Sequence, residues 1–407
     1  MTRRDMFKGG ALATVGSVLG AGTGEASPAY RVPVTTYESL GVEPIINCWG
    51  TMTVLGGSLM EPDVVRAMEL ANREFVFMPE LIEGAGRRLA ELSGAEWGCV
   101  TAGAASAIWA VTAACVAGDH PEKMAKLPDS TGMKNEAIVS KGHRLEYFDS
   151  ACRMAGLELV EVDSRQEMEA AIGDQTALVY VHGELARPGY PTGGNLAYDD
   201  IVSVARSHSV PTFVDAAAEE PNVPNFYLES GADVVCYSGG KCLRGPQSAG
   251  FVLGRKDICM AAARNLSPYG GLGRAQKVGK EEIVGVLTAL DLWVHGRDHD
   301  AEYKEWERRL DYISEKVTKI EGVKTEIVKP GRPSNVAPTM SISWDEDKIK
   351  LTLEEFDRRL LAGYPRIKIA SYTGDASHTR AATIMPYQMR PCDEIPVARR
   401  IREALSQ

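Results

Sequence analysis

The stretch Val235-Cys236-Tyr237-Ser238-Gly239-Gly240-Lys241-Cys242-Leu243-Arg244-Gly245-Pro246 decides how the chain is read. The apolar run from Ala232 to Tyr237 predicts a buried strand that ends in a small-residue turn, presents one lysine and stops at Gly-Pro. Gly239 and Gly240 leave the backbone bare just before Lys241, which predicts room for a bulky planar group. A lysine backed by apolar residues loses its proton more readily than a solvated one and then acts as an amine nucleophile. An isolated S-x-x-K is ordinarily a surface turn, so the flanking sequence has to decide.

Upstream, Val210-Pro211-Thr212-Phe213-Val214-Asp215-Ala216-Ala217-Ala218 reads as a strand with an aspartate at its C-terminal edge. Ligands of open parallel α/β sheets bind at that edge. Asp215 and Lys241, one strand apart, suit pyridoxal phosphate (PLP): the lysine holds its aldehyde carbon, and the carboxylate keeps the pyridine nitrogen protonated so that the ring takes up carbanion charge. A helix N-cap would explain Asp215 alone but not the pair. Still earlier, Val100 to Ala107 follows a short strand and opens an apolar helix that ends near Gly118. Gly103, Ala104, Ala105 and Ser106 let the backbone close on a phosphate at a helix N-terminus, with Thr101 and Ser106 as hydroxyl donors. Small residues there also suit tight helix packing; the position ahead of the Asp and Lys motifs favours the cofactor. Ser238, in the lysine turn, completes the candidate cofactor contacts.

With these residues in place the chain resembles the fold-type I PLP enzymes related to bacterial selenocysteine synthase, the seryl-tRNA selenium transferase, and within them the D-glucosaminate-6-phosphate ammonia-lyase-like members. The resemblance spans about residues 37–300. It rests on Tyr37-Glu38-Ser39-Leu40-Gly41-Val42, Ile46-Asn47, Gly50-Thr51, Gly56-Gly57-Ser58-Leu59-Met60, Ser238-Gly239-Gly240-Lys241, Gly245-Pro246-Gln247 and Gly273-Arg274 with Lys277 to Ile283. It implies the PLP-dependent transferase (aspartate aminotransferase-like) fold, a large domain with a mostly parallel sheet plus a small C-terminal α/β domain. It also implies a flat side chain over the free face of the cofactor ring, a position that falls on His143 after the strand Glu136 to Ser140. An arginine of the C-terminal domain commonly forks the substrate carboxylate in this fold; Arg380 is the candidate and Arg366 the reserve.

The boundaries expected are a signal segment over 1–26, an arm over 27–60, the large domain over 61–300 and the small domain over 301–407. Thr2-Arg3-Arg4-Asp5-Met6-Phe7-Lys8, a mild apolar stretch and Gly24-Glu25-Ala26 form a twin-arginine export pattern, which predicts a periplasmic or otherwise extracytoplasmic enzyme. Strands Glu158–Val162 and Ala177–His182 alternate with helices Gln166–Ile172 and Tyr198–His208, the mark of a parallel sheet covered on both faces. One long helix is expected from Lys280 to Arg309 and a second to about Ile320, then strands Val323–Val328 and Thr339–Trp344, a helix Leu353–Leu361 and a strand Ala381–Met385. Glu184, at a strand end, is a substrate-binding candidate. Arg274 and Lys277, in a Gly-rich loop, are candidates for an anion: the cofactor phosphate of a neighbouring subunit or a substrate carboxylate. The loop from Ala186 to Asn195 is placed over the substrate.

A net charge of −10 in 407 residues opposes nucleic-acid binding, and with it tRNA as substrate. No run has the length and hydrophobicity of a membrane span. The eight cysteines and seven histidines form no metal-like cluster, and no metal is expected. The reading is a homodimeric or larger PLP-dependent lyase, of the β-elimination, ammonia-lyase or dehydratase type, acting on a small amino acid or amino-sugar acid. Lys241 and Asp215 are its catalytic core, with His143. A racemase or aminotransferase needs the same residues up to proton removal; a PLP- or amino-acid-binding protein without turnover needs neither Asp215 nor Lys241.

Overall fold

The computed structural model describes residues 35–187, 196–331, 333–372 and 381–406. The twin-arginine segment and most of the Ala186–Asn195 loop lie outside these residues. Residues up to Pro44 form a unit of their own, in which the turn Glu38–Leu40 is described. The architecture below is that of Ile45–Gln407.

Two sheets organise this unit. The first strand among the described residues, β1 (Ile45–Cys48), belongs to the second sheet. The first sheet comprises β2 (Trp97–Thr101), β3 (Glu136–Ser140), β4 (Glu158–Val162), β5 (Thr176–His182), β6 (Thr212–Asp215), β7 (Val234–Ser238) and β8 (Gly250–Gly254), in the order β2-β8-β7-β6-β5-β3-β4. Strand β8 runs against both its neighbours and every other pair is parallel. The central strands are buried along nearly their whole length, Ser238 at the end of β7 being half-buried, which is why they read as apolar runs rather than alternating ones.

Side-chain alternation sorts these strands between two cores. Tyr180, Phe213 and Cys236 pack with Ile108 and Trp109 of the helix Gly103–Ala117. Val179, Val214 and Val235 point the other way, towards Tyr198, Ile201 and Tyr227. A period of two therefore puts His182, Asp215 and Ser238 on the face covered by the helix Gly103–Ala117, all at the C-terminal edge. The register agrees, with His182 opposite Asp215 and Asp215 opposite Cys236. That helix is apolar nearly all round and correspondingly buried.

The second sheet has the order β1-β11-β12-β10-β9, from β9 (Val323–Val328), β10 (Thr339–Trp344), β11 (Arg366–Tyr372) and β12 (Ala381–Ile384). Strand β1 is parallel to β11, and the other pairs are antiparallel. Ile46, Ile367 and Ile369 form its core with Phe356 of the helix Leu353–Ala362 and Ile401 of the helix Glu394–Ser406. The short strand β1 carries little mark in the local sequence pattern, whereas β11 alternates as Arg366-Ile367-Lys368-Ile369 and the last helix buries Val397, Ile401 and Leu405 at helical spacing. Four residues of Ile-Ile-Asn-Cys become a strand because a partner strand from far along the chain completes their hydrogen bonds.

The helix expected from Lys280 to Arg309 is two. Lys280–Asp291 runs into a π turn, Leu292–Gly296, and a new helix starts at His299. Asp298 caps it, its side chain accepting from the Ala301 N–H. The extended residue between them, Arg297, reaches the carbonyl of Cys242 at 2.6 Å and Glu302 at 2.7 Å. The interruption thus lets an arginine dock on the turn that carries Lys241.

Ile369 is fully buried where β1, β11 and the last helix meet. Ile369→Ala is expected to cost about 2–5 kcal/mol, read as a lower urea midpoint at unchanged slope.

Candidate active site

Asp215 ends β6 and is 4% exposed. Its Oδ2 accepts from the Tyr180 hydroxyl at 3.1 Å and its Oδ1 from the Ala217 N–H at 3.0 Å. The Cys236 thiol lies 3.7 Å from Oδ1. Burial, and next the Asp215 charge, push the Tyr180 phenol well above its ordinary range, so it remains a donor. Tyr180 is a site residue the sequence reading did not assign; its signal is the two-residue step back from His182.

Lys241 sits in the turn that follows β7, half-buried. Burial pushes its ammonium below the ordinary lysine value; Asp215 is the largest opposing charge and Glu184 a smaller one. The turn is closed by Arg244 N–H to Lys241 carbonyl, 3.0 Å, and by Gly245 N–H to Gly239 carbonyl, 2.8 Å. The two glycines before the lysine serve this closure rather than the approach of a planar group. A Cβ on Gly240 would stand 2.5 Å from the Gln247 Cα, and one on Gly239 would stand 2.8 Å from the Ala249 carbonyl. The space before Lys241 is already filled by the chain itself.

Strand β2 delivers the chain to the helix Gly103–Ala117, whose first-turn N–H groups lack helical acceptors. Ser106 has a buried hydroxyl with no partner among the described residues. The Thr101 hydroxyl, expected as a second donor, is instead spent on the Gly103 carbonyl at 2.9 Å. Gly250 of β8 lies beneath the helix start, where a Cβ would stand 2.7 Å from the Gly103 carbonyl carbon and 2.9 Å from the Ala104 nitrogen. A glycine is therefore needed there to seat the cradle.

His143 closes the turn that follows β3 and is 1% exposed. Burial first, and then neighbouring His182, push its imidazole down to about 4. The Nδ1 atoms of both histidines are buried without partners among the described residues. The turn is braced from behind: Arg144 donates to Asp149 at 2.6 Å, and Arg153 does so at 2.8 Å. These features fit PLP: free N–H groups and an orphaned serine hydroxyl for a phosphate, a buried carboxylate for a pyridinium, a lysine for an aldehyde, and two imidazoles each with an unpartnered Nδ1.

The substrate candidates separate. Glu184 lies in the short helix Gly183–Ala186 that leaves β5, near enough to act on Lys241. Arg274 and Lys277 are exposed, and Arg274 donates to the Ser267 hydroxyl at 3.2 Å. Arg366, the reserve, begins β11 and donates from Nε to the Leu361 carbonyl at 3.0 Å. Arg380 lies outside the described residues. Strand ends gather Asp215, His182, Ser238 and Lys241; the Gly-rich loop stays at the surface.

Residues 83–273 match the family described as Cys/Met metabolism PLP-dependent enzyme. Over 300 residues the chain is 35% identical to D-glucosaminate-6-phosphate ammonia lyase of Salmonella typhimurium, a match covering 72% of this chain and 77% of that protein. It is 31% identical over 382 residues to 5'-C-glycyluridine monooxygenase-decarboxylase of a Streptomyces species, covering 91% and 92%. An L-seryl-tRNA(Sec) selenium transferase of Rhizobium meliloti is 31% identical over 294 residues, 64% of this chain and 57% of that protein. Among solved structures, D-glucosaminate-6-phosphate ammonia-lyase superposes with a TM-score of 0.79 at 29% identity, covering 92% of this chain and 99% of the other. A NifS-like protein superposes at 0.57 with 15% identity, covering 89% and 99%, a likeness of fold alone.

Two measurements check this geometry. Gly250→Ala pushes the helix start off β8, so PLP titrated into the apo chain is expected to bind at least about tenfold more weakly, roughly 1.4 kcal/mol. His143 also leaves a mark on acid stability. Its value falls from 6.5 to about 4 on folding, so in that window the unfolded chain takes up a proton the folded chain refuses. Stability is therefore lost as pH falls from 6.5 to 4, by about 3 kcal/mol from this residue. His143→Gln is expected to flatten that part of the stability–pH curve in urea melts.

Proposed function

Because the chain belongs to the fold-type I PLP-dependent enzymes related to D-glucosaminate-6-phosphate ammonia-lyase and selenocysteine synthase, we propose that it removes the elements of ammonia from a small 2-amino-3-hydroxy acid of the amino-sugar-acid type. The observation that carries this reading is the Asp215–Lys241 pair at the C-terminal edge of the sheet, one carboxylate fixed by Tyr180 and one lysine whose proton is loosened by burial. When bound, PLP supplies the electron sink that makes the α-proton of an amino acid removable. Lys241 Nζ takes that proton. Asp215 holds the counter-charge that keeps the sink effective, and the first N–H groups of the helix Gly103–Ala117, with the Ser106 hydroxyl, anchor the phosphate. His143, neutral across the working range, covers the flat face and takes no proton. The proton taken by Lys241 leaves with the β-hydroxyl as water; the resulting enamine takes up water at C2 and gives a 2-oxo acid and ammonia.

Two finer points belong to this reading. The mature enzyme is exported by the twin-arginine route, and it works as at least a dimer. The exposed apolar side chains Leu70, Phe75, Val76 and Phe77 around the end of the helix Pro62–Ala71 support a second copy as their cover. Net charge −10 supports a small-molecule substrate over a tRNA. The arginine that forks the carboxylate stays assigned to Arg380.

Oxidative decarboxylation is the second reading, favoured by the wider coverage of the Streptomyces relative. Incubating the PLP-loaded chain with D-glucosaminate 6-phosphate, its unphosphorylated form and D- and L-serine separates the readings. Equal amounts of ammonia and 2-oxo acid without oxygen uptake are expected. Oxygen consumption with release of carbon dioxide would replace elimination by the second reading. Lys241→Ala should lower turnover by at least about a thousandfold and lose the borohydride-trapped cofactor adduct.

A further inference from the structure

Behind the face that carries Asp215 lies a buried polar cluster that no step above uses. Glu219, 2% exposed, accepts from the Tyr227 hydroxyl at 2.5 Å and from Arg187 Nε at 3.3 Å. Arg187 also donates to the Tyr227 oxygen at 3.3 Å, and its guanidinium lies 4.0 Å from the centre of the Phe226 ring. Gly183 approaches so closely that a Cβ would stand 2.5 Å from Glu219 Oε1 and 2.8 Å from the Tyr227 hydroxyl. Tyr227 belongs to the core on the far side of the sheet from the helix Gly103–Ala117.

The backbone of Glu219 joins other parts of the site. Its carbonyl accepts from the Cys242 thiol at 3.4 Å, next to Lys241. Its N–H donates to Ala216 at 2.9 Å, next to Asp215, and it forms an antiparallel bridge with Ser334. Glu219 thus touches the segments that carry Asp215, Lys241 and Glu184. Burial pushes its carboxyl up to about 7, with Tyr227 and Arg187 opposing and Glu184 adding to the rise. A carboxylate is a costly way to fill a core, and an apolar side chain would fill it more cheaply. Its worth is geometric: two donors from different segments converge on one rigid acceptor.

We propose that Glu219 is a positioning residue: through Arg187 and Tyr227 it holds the helix Gly183–Ala186, and with it Glu184, in place against the Lys241 turn. Glu184 then serves as a substrate contact, a role that rests on the function proposed above, while the placement itself does not. The carboxylates acting on Lys241 are Asp215 and Glu184, with the buried thiols of Cys242 and Cys236 beside it protonated, so a displaced Glu184 changes the proton affinity of that lysine.

The test uses the full chain loaded with PLP and needs no substrate. The pH midpoint of the visible band of the lysine-bound cofactor is measured for wild type, Glu219→Ala, Glu219→Gln, Glu184→Ala and the Glu184→Ala/Glu219→Ala pair. PLP affinity is expected within about threefold of wild type throughout, because Asp215 and the phosphate cradle lie on the other face. Glu219→Ala and Glu184→Ala should each lower the midpoint by several tenths of a pH unit, about twofold or more in proton affinity, and the pair should add nothing further. Glu219→Gln, which keeps an acceptor for Tyr227 and Arg187, should restore most of the shift. With D-glucosaminate 6-phosphate, KM should rise about tenfold in Glu219→Ala while kcat changes less.

An unmoved midpoint, an additive pair, or a loss of PLP affinity as large as the other effects would overturn the positioning role. If Glu219→Ala does not fold, Tyr227→Phe keeps the ring and removes one donor; a wild-type midpoint there has the same meaning. A shifted midpoint in an enzyme that releases no ammonia leaves the positioning role standing and removes the proposed reaction instead.

Discussion

A carboxylate sealed into the edge of a sheet is costly unless its oxygens are satisfied, and Asp215 meets that cost with two donors of the fold, the Tyr180 hydroxyl and the Ala217 N–H. Both come from rigid elements. Tyr180 stands on the neighbouring strand two residues before His182, and Ala217 belongs to the turn that Asp215 itself opens. The charge is therefore held at one point, and that point organises the chemistry. It raises the proton affinity of Lys241 against burial and, after burial itself, helps keep the Tyr180 phenol protonated.

The two faces of the first sheet divide the work. Alternation along β5, β6 and β7 sends His182, Asp215 and Ser238 to the side of the helix Gly103–Ala117, whose start supplies unpaired N–H groups. The opposite side carries the Glu219–Tyr227–Arg187 cluster, which meets neither a phosphate nor a ring but fixes the exits of the strands. A parallel sheet suits this arrangement, because every central strand ends at the same edge and every exit is available to the site. Antiparallel β8 contributes differently: its Gly250 is a floor on which the start of the helix Gly103–Ala117 rests.

Contacts at a distance hold the lysine turn. Arg297 reaches it only because the helix expected across Lys280–Arg309 is interrupted, and the Ser58 N–H donates to Gly240 at 3.1 Å from a segment that otherwise reads as a loose arm. Arg244 binds Glu61 at 2.8 Å and the Tyr387 carbonyl at 3.2 Å, so residues before the first sheet and residues near the C-terminus meet behind the same turn. The strain of the turn, with Arg244 at φ 53°, is borne by these partners.

The sequence by itself determined the strand–turn–lysine of Ala232–Pro246, the aspartate at the end of β6, the small-residue opening of the helix Gly103–Ala117 and the alternation of strands and helices that makes the first sheet mostly parallel. All of these are local: hydrophobic period, turn residues and helix starts lie within a dozen residues and obey short-range sterics and hydrogen bonding. Tertiary structure decided the rest. Thr101 turned its hydroxyl inward to Gly103, and the glycines before Lys241 proved to serve the turn's own closure. Ile45–Cys48 became a strand through β11, Arg297 broke a helix to reach Cys242, and Glu219 found Tyr227 and Arg187. Each depends on a partner remote in sequence. A hydrogen bond or a buried charge is worth having only once both ends are in place, so no local pattern announces it.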